Sequence, residues 1–336
     1  MQGQNSRHFA IDIVKCFAAL LVVSIHTHFC ADINQDLYFY VNLVFCRLGV
    51  PFFAATSGYF LYDKFKNNCI ESLKKHENKL LKIYAIWTLL YFLYILPGWY
   101  NMGYISVANI IGFCKSIIIY GSYFHLWYIV DVIYMLPIYF ILVRKLSANI
   151  CLLIGFTLWG IYAINYSYSS LMPFFIQHSF SFLNIDLAFI SGPFVILPML
   201  LLGGYIKSKE RRIMQISKEK ALFLLLISIL VLFIEASYLQ TLHLSGFTRI
   251  TSVILVTYCA LVFTLQYKSS INLPKFIRLG QISLLIYCVH PMIAIPLNNN
   301  PGVSTVMSFL LTTVASLTFA LAIEAVLTFI KPYVKK

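Results

Sequence analysis

Residues 10–30 read AIDIVKCFAALLVVSIHTHFC. At about 1.5 Å per residue a helix of this length crosses the roughly 30 Å hydrocarbon layer of a bilayer. No small-residue cleavage site follows the apolar run, so it is expected to stay as a first membrane helix rather than be removed as a signal peptide. Stretches of similar length and hydropathy recur at 40–62, 80–97, 124–143, 149–166, 186–206, 221–239, 249–267, 281–297 and 303–330. The expected fold is an all-α polytopic membrane protein of about ten transmembrane helices, one domain over residues 1–336. An eleventh stretch, 104–120 (YISVANIIGFCKSIIIY), is short, carries Lys115 and lies between Pro97-Gly98 and Gly121. It reads as an interfacial or re-entrant helix.

Composition agrees. Of 336 residues 60% are apolar and 11% charged, against about 25% charged in soluble domains. The net charge of +13, from 25 Lys and Arg against 12 Asp and Glu, raises nucleic acid as a partner until the basic residues are placed. With the N-terminus inside, 21 of the 25 fall on inner segments, namely Arg7, six lysines in 64–82, Arg144-Lys145, six residues in 207–220, Lys268, Lys275, Arg278, Lys331 and Lys335-Lys336. The outer segments 31–39, 167–185 and 298–302 hold none. That asymmetry is the positive-inside signature, which places both termini in the cytoplasm and removes nucleic acid. The inner loop 63–82 (DKFKNNCIESLKKHENKLLK) is amphipathic and basic enough to lie on the inner leaflet as a surface helix; a solvated topogenic loop is the plainer reading. Eight cysteines stand singly (16, 30, 46, 69, 114, 151, 259, 288) with no ligand spacing. They are expected to be buried thiols, neither disulfides nor zinc ligands, and no metal is expected. There is no internal repeat and no phosphate-binding glycine loop, and the paired Gly or Pro sites read as breaks at span ends.

Ionisable residues inside spans are costly and therefore informative. Asp12, Lys15 and His26 share one stripe of the first helix, with Lys15 near the cytoplasmic edge and His26 about 16 Å further out. Arg47 sits in the outer half of the second span, ahead of an expected kink at Pro51 and a close-packing break at Ser57-Gly58-Tyr59. His125 and Asp131 flank the outer end of HLWYIVD, Glu235 ends its span on the same side, and Arg249 opens the next. His290 precedes Pro291 near mid-membrane. Two buried ion pairs among Arg47, Asp131, Glu235 and Arg249 would account for those charges and would leave three intramembrane histidines less well explained. Histidine takes and returns protons near neutral pH, so the pattern points to acid–base or proton-coupled chemistry.

Asp12-x-x-Lys15 followed by His26 resembles the Arg-x10-His signature of the acyltransferase-3 family of bacterial membrane proteins. So do, in order, Arg47-Leu-Gly-Val-Pro-Phe-Phe with Ser57-Gly58-Tyr59, His125-Leu-Trp127-Tyr128, Leu202-Gly203-Gly204-Tyr205, and Gly280-Gln-Ile-Ser283 with Tyr287 and His290-Pro291. FHLWYI, FIEASYLQ and GQISLLIYCVHP most resemble the membrane domains of VanT-type serine racemases.

The resemblance implies transfer of an acyl group, usually acetyl from cytoplasmic acetyl-CoA or another acyl-CoA, to a hydroxyl of an extracytoplasmic glycan or lipid-linked sugar. It implies a multi-pass protein of the bacterial cytoplasmic membrane. His26 would be general base or acyl relay, with Asp12 beside it. Lys15 would meet the CoA phosphates or steady the thioester, and Arg47, Ser57, Tyr59, His125, Trp127, Asp131, Glu235, Arg249 and His290 would line the substrate. A pantetheine-sized tunnel opening to the cytoplasm and reaching His26 is expected.

Two positions depart from the family. Lys15 replaces an arginine, turning a bidentate fork into a point charge, and Asp131 replaces an apolar residue. The racemase resemblance implies another job, binding or importing L-serine through Arg47 on the carboxylate and Asp131 or Glu235 on the ammonium. A structural or sensory module is the third reading. No racemase domain follows; the chain ends at Lys336, which fits a stand-alone transferase or a piece cut at a domain boundary.

Overall fold

The computed structural model describes residues 9–67, 69–173, 191–242, 250–267 and 278–334. Among them all regular structure is helical. Eight helices are long and apolar enough to cross a membrane: Phe9–His26, Gln35–Lys66, Ile70–Asn101, Trp127–Lys145, Ala148–Asn165, Lys218–Thr241, Leu279–Asn298 and Thr305–Phe329. Gly192–Ser208 and Ser252–Leu265 are shorter apolar helices, so every one of the ten expected spans carries a helix. Val107–Ile119 is the expected extra short helix, and none of its residues is buried. The protein is an all-α polytopic membrane protein. Arg249, Lys268, Lys275 and segment 174–185 lie outside the described residues.

We number the helices α1 (Phe9–His26), α2 (Gln35–Tyr38), α3 (Gly49–Lys66), α4 (Ile70–Asn101), α5 (Val107–Ile119), α6 (Trp127–Lys145), α7 (Ala148–Asn165), α8 (Leu197–Ser208), α9 (Lys218–Thr241), α10 (Ser252–Leu265), α11 (Leu279–Asn298) and α12 (Thr305–Val334). Several local expectations are corrected. Arg47 lies not in an α-helix but in the 3-10 turn Phe45–Leu48, which follows the π segment Phe39–Val44. Pro51 makes no mid-helix kink, because it occupies the first turn of α3 where its missing N–H costs nothing. Ser57-Gly58-Tyr59 does not break α3, nor does Pro97-Gly98 break α4. The basic stretch after Cys69 is not a separate surface helix but the first turns of α4. Gly203-Gly204 lies inside α8 rather than at a break. Among the cysteines, 30, 46, 151, 259 and 288 are buried, whereas Cys69 and Cys114 are exposed.

Contacts divide the described chain into two compact units. The first comprises residues 9–53, 210–242 and 252–334. In it α1 packs on α11, α11 on α12, and α9 on α10. The α1 face toward this core is small and apolar, Ala18, Ala19, Val22 and Val23. Gly49 closes against it: an added Cβ would stand 2.7 Å from the Ala18 carbonyl oxygen.

The second unit comprises residues 54–209, so far as described, with Ile250 and Thr251. Here the glycines set the packing. A Cβ on Gly58 would overlap the Leu200 carbonyl, and one on Gly203 the Ala55 carbonyl. Small residues bring the α3 and α8 backbones into contact, the usual device of membrane helices that gain nothing from water exclusion. Tyr139 of α6 donates its hydroxyl to the Gly58 carbonyl at 2.8 Å, and Tyr128 hydrogen-bonds Ser57. Lys66 ends α3 by donating to the Val143 and Leu146 carbonyls at 2.9 and 3.1 Å, at the C-terminal end of α6.

Candidate functional site

In the first unit α1 and α11 run parallel, joined at both ends. At one end the Asp12 carboxylate lies over Gly280, its Oδ1 3.0 Å from where a Cβ would stand. Gly280 is the second residue of α11, so the carboxylate meets the positive end of that helix. Beside it Cys16 Sγ donates to the Leu279 carbonyl at 3.5 Å. Lys15 is half-buried one turn along from Asp12.

At the other end His26 closes α1. Its carbonyl accepts from Asn298 Nδ2 at 2.8 Å, and Asn298 Oδ1 accepts from Ser308 Oγ at 2.6 Å. The chain then turns through left-handed backbone at His28 and Cys30, with φ +52° and +68°. The rings of His26 and His290 lie 5.2 Å apart at 29°. Sequence reasoning set His290 near mid-membrane and His26 in the outer third; the packing brings the two to one depth. His290 is fully buried. Its Nδ1 is 2.7 Å from the Tyr287 carbonyl and 3.3 Å from that of Ile286. Arg47 and His28 also lie within electrostatic range of His26. Two imidazoles and a guanidinium at the end of a helix that carries a lysine can move a proton and hold an anion.

Glu235 belongs to this unit as well. Its Oε2 accepts from the backbone N–H of Ser252 at 2.8 Å, at the first residue of α10. Arg278, counted above as a topological charge, forms an ion pair with Glu324 at 2.8 Å. Glu324 was not singled out in the sequence although it stands in the last span, and its side chain is only 2% exposed. Its i−4 and i−8 neighbours Ala320 and Ser316 are equally buried, a helical stripe in which the glutamate was legible. A cavity of about 220 Å³ lies against α1, lined by Val14, Phe17, Leu21, Phe45, Val256 and Phe263 among others. At 100° per residue this face of α1 is roughly a hundred degrees from the Lys15–His26 stripe, and the lining includes neither residue. It is not the expected tunnel to His26.

In the second unit Asp131 of α6 accepts from Ser191 Oγ, next to the π segment Gly192–Ile196 that leads into α8. His125 is buried, its ring edge-on to Tyr91 at 5.0 Å, Phe124 at 5.6 Å and Tyr123 at 5.9 Å. Trp127 meets Tyr128 edge-on at 6.4 Å. Tyr59 is buried beneath Lys207, whose Nζ is 5.1 Å from the ring centre and 3.5 Å from Asp63. Ser57, Tyr59, His125 and Trp127 thus stand in packed aromatic and hydroxyl contacts. Among the described residues no three His, Cys, Asp or Glu side chains gather as a metal-ligand set.

Two proteins of Enterococcus faecalis, each named amino-acid racemase, resemble this chain. One is 31% identical over 218 residues, which is 62% of this chain and 29% of the relative. The other is 37% identical over 123 residues, 35% of this chain and 17% of the relative. The chain therefore spans under a third of either relative's length. No solved structure matches it. The family model described as acyltransferase domain matches residues 8–325, nearly the whole chain, and this multi-pass membrane protein belongs to the acyltransferase-3 family.

Proposed function

We propose that the protein transfers an acyl group, acetyl in the simplest case, from acyl-CoA at the cytoplasmic face to a hydroxyl of an extracytoplasmic glycan or lipid-linked sugar. The protein is taken to sit in a bacterial cytoplasmic membrane with both termini inside, following its basic-residue asymmetry. The observation that carries the reading is the close pair of His26 and His290, on a helix that bears Lys15 near its other end. His26 is assigned as the base that takes the acceptor's proton. Lys15 is assigned to the donor's anionic groups, as a point charge. Asp12 holds the start of α11 and thereby sets the register of α1 against the helix that carries His290.

The test is acetyl transfer from labelled acetyl-CoA in proteoliposomes, with glycan and lipid-linked sugar acceptors. Wild type transfers label and His26→Ala does not; equal transfer by both removes His26 from the chemistry, and none to any hydroxyl acceptor removes the reading.

The relatives named amino-acid racemase favour a second reading, in which the domain binds or imports an amino acid such as L-serine. Its ammonium partner would be Asp131 or Glu235, which accept from Ser191 Oγ and the Ser252 N–H respectively. Serine uptake that depends on Arg47 would establish it, and no uptake by wild type would end it.

A further inference from the structure

Pro291 lies inside α11. A proline has no N–H, so the carbonyl four residues earlier loses its helical donor; here that carbonyl is Tyr287. The His290 ring folds back on its own helix and takes the vacancy, Nδ1 to Tyr287 O at 2.7 Å. A carbonyl oxygen only accepts, so Nδ1 is the nitrogen that carries the hydrogen. In a neutral imidazole the other nitrogen, Nε2, then holds a bare lone pair. The same ring lies 5.2 Å from that of His26, with the two planes 29° apart, a separation that one bridging water can span.

We propose that His290 is the positioning residue and proton store for His26, locked by Pro291 and the Tyr287 carbonyl in the tautomer whose Nε2 carries no hydrogen. This rests on the reading of His26 as the base and departs from the sequence expectation that His290 lines the substrate. The acceptor hydroxyl gives its proton to one nitrogen of His26. The N–H on the opposite nitrogen of that ring passes its proton to His290 Nε2. His290 becomes an imidazolium whose Nδ1–H still points at the Tyr287 and Ile286 carbonyls, so the positive charge is met by two backbone dipoles. The hydroxyl oxygen keeps its electron pair for the acyl carbon, the carbon–sulfur bond breaks, and the stored proton returns through His26 to the departing thiolate. The net change is one proton moved from hydroxyl to thiol.

Two measurements on the full-length protein in lipid nanodiscs test this. Nitrogen NMR of ring-labelled histidine, assigned with His290→Asn, should show a protonated Nδ1 and a bare Nε2 for His290 at neutral pH. In Pro291→Ala the restored N–H competes for the Tyr287 carbonyl, and the signal should shift toward a mixture of tautomers. An Nε2–H form in wild type, or an unchanged spectrum in Pro291→Ala, overturns the lock. For the store, His290→Asn keeps an N–H donor near the carbonyl but has no proton-accepting nitrogen. Its kcat should fall at least about tenfold with KM for the acyl donor unchanged. A folded His290→Asn protein with wild-type kcat overturns it. The NMR arm needs no turnover, so it stands or falls separately from the acyl-transfer reading itself.

Discussion

Replacing Gly203 by alanine should be among the most damaging single-methyl changes in this protein. The added carbon would overlap the Ala55 carbonyl oxygen and stand 2.7 Å from the Tyr59 nitrogen. Ordinary contact begins near 3.4 Å, so clearing the Ala55 carbonyl alone requires α8 and α3 to part by about 1.6 Å. Nothing flexible lies between them, since the opposing atoms are backbone. The parting also loosens Gly58 against Leu200 and Gly204 beneath Tyr139, which share the contact. Overpacking costs about 1–3 kcal/mol where side chains can yield; with two backbones in opposition, about 3 kcal/mol is the expectation. At about 2 °C per kcal/mol for a chain of this size, the thermal midpoint of the detergent-solubilised protein should fall by about 6 °C.

The control is Gly160→Ala. Gly160 also lies inside a helix, α7, but an added Cβ there meets nothing within 4 Å. Helix propensity alone then acts, worth up to about 1 kcal/mol in favour of alanine, so its midpoint should hold or rise slightly. Both variants are read by the loss of monodisperse protein after heating, at one fixed heating time, because membrane proteins unfold irreversibly and only matched conditions compare. Equal midpoints for Gly203→Ala and Gly160→Ala would refute the claim that backbone contact, rather than a general glycine preference, sets this packing.

Other consequences are checked more briefly. Glu324→Gln and Arg278→Met should each cost about 3 kcal/mol by stranding a partner in a nearly closed site, and the Arg278→Met, Glu324→Leu double variant should recover most of it; midpoints that add instead would sink the pairing. Asp32 accepts from Thr305 N and Oγ at the start of α12, which holds its carboxyl below the ordinary carboxylate range. A lowered native pKa means this support is present above about pH 4 and fades as pH falls through the native value. Hydrogen exchange at 305–309 should therefore speed up in acid, and Thr305→Val, which removes the hydroxyl but keeps the backbone donor, should weaken that dependence. Cys69 is exposed between α3 and α4; in a variant with Cys69 as sole cysteine, an impermeant thiol reagent should label inside-out vesicles only, and labelling of right-side-out vesicles would invert the topology.

Helix positions were legible because twenty apolar residues in a row have one stable solution in a bilayer. Helix interruptions were not, and the reason is the same solvent. In water a proline releases a carbonyl that water can satisfy, so Pro97 looks like an end. In hydrocarbon that carbonyl needs a protein donor, and the helix continues past the proline. At Pro291 the donor is visible: it is the histidine one residue earlier. The local sequence His-Pro contains the whole arrangement, but only the i−4 geometry of a helix that does not stop reveals it.

The intramembrane acids show why charge alone misled. Read in one dimension, Asp131 and Glu235 invite a cationic partner, and Arg47 and Arg249 stood ready. In three dimensions acids meet helix starts contributed by other segments: inside the membrane Asp12 lies over Gly280 of α11 and Glu235 accepts from Ser252 of α10, and in the exposed loop beyond α1 Asp32 accepts from Thr305 of α12. A helix start offers unpaired N–H groups and a partial positive charge. Within a membrane no water can satisfy them, so a carboxylate from a neighbouring helix is the natural cap. Which helix start meets which acid is a matter of tertiary packing, and no spacing in the sequence encodes it. Capping by acids also changes what the charge excess means. Twelve acids against 25 bases is a topological imbalance, but Asp32, Asp131 and Glu235 accept from backbone or hydroxyl donors of other segments.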